Sequence, residues 1–85
     1  MKKNLSNIIG IPEEVISNVM KITVIGKKNI NLEYYGRLLL YTDSEICVKN
    51  DDGIVRISGN NLKIETIDKI YIEIIGEFLC ISYEN

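Results

Sequence analysis

A mainly β domain is what this sequence predicts: a short N-terminal helix followed by about eight short strands, arranged as an antiparallel meander, a small sandwich or a partly closed barrel. Three observations carry the expectation. From Lys21 onward apolar residues recur at every second position, the period of a strand with one covered face. The runs are separated by Gly, Asn, Asp and Ser, the residues of turns. A phrase of β-branched residues closed by glycine is also written three times, ITVIG at 22–26, VRISG at 55–59 and IEIIG at 72–76. The last two copies lie 17 residues apart and the first precedes the second by 33, so a short β-solenoid with 17-residue coils is the competing geometry. Strands spaced about eight residues apart, with no second helix to make crossovers, argue against a parallel α/β sheet.

The elements follow in chain order. Residues 1–10 read as a loosely ordered arm, because Asn4, Ser6, Asn7 and Gly10 interrupt Leu5, Ile8 and Ile9. Residues 11–85 then form a single domain. Pro12 with Glu13 and Glu14 opens a helix: proline lacks only a donor that is unpaired in the first turn, and carboxylates favour the positive end of the helix dipole. Val15, Ile16, Val19 and Met20 share one face, expected to pack on the sheet, with docking of a partner or a membrane surface as the alternative.

Candidate strands are 21–25, 30–35, 37–41, 45–49, 54–58, 62–66, 69–75 and 77–83. Asn50, Asp51, Asp52 and Gly53 make the clearest turn and predict a hairpin; Gly59, Asn60 and Asn61 mark a second reversal or corner. Leu62 and Ile64 face one way and Lys63 and Glu65 the other, and Ile70, Ile72 and Ile74 oppose Tyr71, Glu73 and Ile75. Leu39 and Tyr41, Ile75, and Phe78 with Cys80 fall out of phase with this core. Either both faces are covered within the chain, or apolar surface is left for a partner, such as a second copy at an open strand edge.

Composition narrows the function classes. Eighty-five residues support one modest core. A net charge of −2, with acidic and basic residues spread along the chain, provides no strong attraction to nucleic acid or anionic lipid. The N-terminus is a poor signal peptide, and the longest purely apolar stretch, Leu38 to Tyr41, is far short of the roughly 18 residues of a membrane span. A cytoplasmic protein is expected.

Cys47 and Cys80 lie in predicted strands without CxxC spacing, and the chain has no histidine to complete a zinc site; both cysteines are expected to be reduced. Without histidine the commonest base for nucleophilic catalysis is missing. Asp51 and Asp52 read as turn formers, and the glycines stand singly at strand ends instead of in a phosphate-binding loop. No catalytic, cofactor-binding or metal-ligating residue is therefore nominated, no cofactor is expected, and the protein is read as non-enzymatic. Tyr34, Tyr35 and Tyr41 are the candidates for a base-stacking platform, with Lys27, Lys28 and Arg37 nearby. Tyr34 and Tyr35 point to opposite faces of a regular strand, and Glu33 and Asp43 dilute the positive charge, so ordinary strand packing is preferred.

The order of motifs adds a resemblance. IPEEVISNV, KITVIG, a tyrosine-rich strand pair, GIVRISGNNLKI and IYIEIIGEFLCISY, over about residues 11–84, together resemble the YabP/YqfC family of sporulation proteins, the YqfC branch more than YabP. Gly53 to Ile64 is the most specific part, and Gly76 to Tyr83 supports it. The resemblance implies a small protein of the mother cell of an endospore-forming bacterium that contributes to the spore envelope. It also implies contact with a protein partner, such as a membrane protein at the forespore surface, and no established catalytic residue. The alternative reading is a small-barrel binder of single-stranded nucleic acid, of the Sm-like or OB type, which rests on fold analogy.

Overall fold

The computed structural model describes residues 19–85; the arm at 1–10 and the helix opened by Pro12 lie outside them. Six strands follow: β1 (Lys21–Ile25), β2 (Asn29–Glu33), β3 (Arg37–Tyr41), β4 (Glu45–Asn50), β5 (Gly53–Ile67) and β6 (Tyr71–Glu84). They form one open sheet in the order β1-β2-β6-β5-β4-β3, and every neighbouring pair is antiparallel. The antiparallel pairing rules out solenoid coils. The hairpin at Asn50–Gly53 is present, with Asn50 opposite Gly53 and the side-chain oxygen of Asn50 accepting from the Asp52 N–H at 2.9 Å.

Six strands replace the expected eight because two apparent breaks lie inside strands. The segments 54–58 and 62–66 are parts of β5, and 69–75 and 77–83 merge into β6, which begins at Tyr71. Asn60 lies opposite Glu77 and Lys63 opposite Ile75, so Asn61 and Leu62 together face Gly76 alone. That is a bulge: one extra residue bends the strand without reversing it. Asn61 (φ 55°) and Gly76 (φ 143°) absorb the bend. Gly59 is needed for a different reason, since a Cβ there would collide with the Glu77 carbonyl oxygen of the adjacent strand.

The bend divides the sheet. β2 pairs only with Tyr71–Ile75 of β6, and β4 only with Gly53–Ser58 of β5. The inward residues of the first half, Ile30, Leu32, Ile72 and Ile74, join those of the second, Ile46, Val48, Val55 and Ile57, in one cluster with Leu62 and Tyr35. A flat sheet would leave one face in water; here all eight of those aliphatic side chains are buried because the halves cover each other. Met20, Ile22, Leu38, Ile64, Phe78 and Ile81 pack around them.

Where the ladder breaks at the corner, loop carbonyls take over its donors. The N–H groups of Gly59 and Leu62 donate to Ser44 and Asp43 at 3.0 and 2.8 Å, and those of Gly76 and Phe78 to Lys28 and Lys27 at 3.3 and 3.1 Å. The Tyr41 hydroxyl accepts from the Ile64 N–H at 2.9 Å, tying β3 to the far half of β5. The three glycine-ended phrases are thus not equivalent: Gly26 ends β1 in a turn, whereas Gly59 and Gly76 sit inside long strands.

Candidate binding surfaces

Three connections meet at one end of the molecule: the loop from β2 to β3, the turn from β4 to β5 and the turn from β5 to β6. Between them lies a cleft of about 550 Å³ whose lining includes Tyr34, Arg37, Lys49, Asp51, Lys69 and Ile70. Its walls are stitched together by specific hydrogen bonds. The Tyr34 N–H donates to the Ile70 carbonyl at 2.6 Å, and the Tyr35 hydroxyl donates to the Asp68 carbonyl at 2.6 Å. The Asp68 carboxylate accepts from the N–H groups of Ile70 and Tyr71 at 3.0 and 2.9 Å, shaping the turn that carries Lys69.

Tyr34 occupies the left-handed region at φ 57°, a strained conformation for tyrosine, and its side chain remains partly exposed. Gly36 lies so close to β4 that a Cβ would strike the Lys49 carbonyl oxygen. Arg37 and Lys49 are direct cross-strand partners in the β3–β4 ladder, and both are exposed. Like charges at that spacing repel. Among the described residues, Arg37, Lys49 and Lys69 form no ion pair; the paired cations are Lys21 and Arg56.

Sequence reasoning found part of this cleft. Tyr34 and Tyr35 do diverge, one outward and one into the core, so no continuous tyrosine platform forms. Arg37 lines the cleft beside Tyr34, as their closeness in sequence suggests. Lys27 and Lys28 instead sit at the bend, giving their carbonyls to β6. Sequence reasoning does not nominate Lys49 or Lys69; the available signal for Lys49 is the β3–β4 hairpin through Thr42–Ser44, whose register sets it opposite Arg37.

Arg56 organises the outer face of the second half. Its Nη1 lies 3.0 Å from Glu45 Oε2, while Nε and Nη2 donate to the two Glu84 oxygens at 2.8 and 3.3 Å. These hydrogen bonds hold the Glu84 carboxyl below its ordinary range and push the guanidinium further up. With its fork occupied, Arg56 acts as a staple across β4, β5 and β6. Cys47 stands opposite Arg56 and is buried, which pushes its thiol up; Cys80 is exposed on β6. Both are free thiols, with β5 lying between their strands. Among the described residues no group of three His, Cys, Asp or Glu is placed to hold a metal ion.

The last feature is an uncovered edge. β2 leaves β6 at Ile75, and beyond Phe78 no described strand pairs with that side of β6. Leu79 and Tyr83 on this stretch are 71% and 76% exposed, the two highest values among the large apolar residues described. Leu39 and Tyr41 on β3 are exposed as well, whereas Phe78 packs on the core in phase with Ile72 and Ile74, and the one-residue slip at Leu79 then turns Ile81 inward and Cys80 outward. The expected apolar surplus therefore divides: Phe78 is covered within the chain and Ile75 is half-buried, while Leu39, Tyr41 and Cys80 remain outside, joined by Leu79 and Tyr83, which the alternation did not single out.

By fold and surface this is a small, all-antiparallel β domain made from one sheet bent over itself. Comparison of the sequence gives its family: the model of the YabP family matches residues 17–85, and the chain belongs to the YabP/YqfC family. Uncharacterized protein YqfC of Bacillus subtilis (strain 168) is 33% identical over 67 residues, covering 79% of this chain and 72% of that protein. No solved structure matches the chain. Among the described residues no helix is long and apolar enough to cross a membrane.

Proposed function

We propose that this protein is a non-enzymatic sporulation protein of YabP/YqfC type that acts by protein contact in endospore formation. It works in the mother cell, at the forespore surface, against a protein partner such as a membrane protein there. Family membership supports the biological setting. The observation that carries the contact role is the uncovered edge of β6, where Leu79 and Tyr83 stand out into solvent and Phe78 to Tyr83 includes no charged residue. Strand edges in soluble proteins are usually protected by charge, proline or a covering element, and this one has none among the described residues.

The test is genetic. Deleting the gene in its host is expected to lower the number of heat-resistant spores, and a wild-type copy is expected to restore it. A copy carrying Leu79→Lys and Tyr83→Lys, charges that block an edge while leaving the core untouched, is expected to restore it poorly. Normal heat-resistant spore numbers after deletion would refute the setting. Full rescue by the edge variant would refute the assigned surface.

A further inference from the structure

We infer that the basic cleft is a binding site for an acidic segment of a partner protein. Three cations from three elements line it, Arg37 from the start of β3, Lys49 from the end of β4 and Lys69 from the β5–β6 turn, and none is neutralised by an ion pair among the described residues. Two of them, Arg37 and Lys49, face each other directly in the ladder. A cross-strand pair of like charges opposes folding, and an anion between them turns the repulsion into attraction. The walls are already held in place by the Tyr34–Ile70 and Tyr35–Asp68 hydrogen bonds, so little ordering is needed when a ligand enters.

The remaining lining selects the kind of anion. Ile70 is half exposed and Tyr34 partly so, which places apolar surface beside the cations. A peptide with carboxylates and an apolar side chain uses both. A polynucleotide needs a basic track that continues along the molecule; here the net charge is −2, Lys21 pairs with Glu33, and Arg56 is held by two glutamates. Asp51 in the lining opposes a planar anionic membrane, whose uniform negative charge would lie against it. The choice of a protein ligand takes the kind of partner from the contact role proposed above; the position of the site does not depend on it.

The test uses the purified full chain and a fluorescein-labelled 12-residue peptide of glutamates with a central leucine, followed by anisotropy. The wild type is expected to bind, more weakly as salt rises, and Lys49→Glu with Lys69→Glu is expected to bind about tenfold less tightly or worse. Lys49→Gln provides the check against unfolding: relief of the Arg37 repulsion should leave its melting temperature equal to or above that of the wild type while its binding weakens. Absence of wild-type binding, equal binding by the double variant, or tighter binding to oligouridylate or to phosphatidylglycerol vesicles than to the peptide would each overturn the inference. Spore counts play no part in this assay, so its failure is distinguishable from failure of the sporulation role.

Discussion

Replacing Ile74 with alanine tests the bent sheet most directly. Ile74 is fully buried on β6, directly opposite Ile30 on β2 and Ile64 on β5, so its side chain is central to the first half where it faces the second. The substitution removes three carbon groups at ~0.8 kcal/mol each, or ~2.4 kcal/mol of transfer free energy. The cavity left in a packed site raises the loss to about 3–4 kcal/mol. A domain of 85 residues has roughly 4–13 kcal/mol in total, so at least about a quarter of the stability is at stake. In urea, with a slope of about 1–1.5 kcal/mol/M, the midpoint should fall by about 2–4 M, read by circular dichroism. Leu79→Ala removes comparable bulk from a residue 71% exposed and should cost within about 0.5 kcal/mol. A loss below about 1 kcal/mol for Ile74→Ala, or equal losses for the two variants, would mean that the two halves of the sheet do not cover each other.

Other substitutions probe the corner, the cleft and the thiols. Gly59→Ala places a methyl group against the Glu77 carbonyl, and because backbone cannot give way as a side chain tip does, a loss of about 2 kcal/mol or more is expected in the same urea titration. Tyr35→Phe keeps the buried ring and deletes only the bond to Asp68, for an expected cost of about 1 kcal/mol, with faster amide exchange at Ile70 and Tyr71. A thiol reagent should label Cys80 promptly in the native protein and Cys47 only on unfolding, and mild oxidation should not join them within one chain. Residues on strands two apart are separated by about 9.5 Å, beyond the reach of a disulfide. Because Arg56 depresses the Glu84 pKa, its stabilising effect is present above the ordinary value of 4.5 and lost as pH falls through the lower native value. Arg56→Met should flatten that acid limb of the stability profile.

Much of the fold was legible in local chemistry. The two-residue periodicity placed Leu62, Ile72 and Ile74 on the buried face, since a residue's face in a strand depends only on its place in the alternation, but Ile70, expected beside them, lies before β6 begins and is half exposed. The Asn50–Gly53 turn was equally plain, because its side chains and glycine determine the backbone locally. Strand count was not. Gly59, Asn60, Asn61 and Gly76 have the composition of turns, and composition does not distinguish a reversal from a bulge; the outcome depends on whether the facing strand continues past the irregularity. The slip at Leu79 is equally silent in composition: it inverts the phase after it, turning Ile81 inward and leaving Cys80 outside, while Phe78, ahead of it, stays in phase with Ile72 and Ile74.

The binding surfaces divide in the same way. Sequence alone determined that this is a mainly β chain with a hairpin at Asn50–Gly53, a family pattern running from the KITVIG strand to the C-terminus, and more apolar residues than one covered face requires. Only tertiary structure decided which of those residues stay outside, because exposure depends on which edge the neighbouring strand leaves uncovered. It also decided that Arg37, Lys49 and Lys69, far apart along the chain, line one cleft. Charge is written residue by residue, but an electrostatic site depends on distances through space, and those were set when the bulge at Asn61 folded one sheet over on itself.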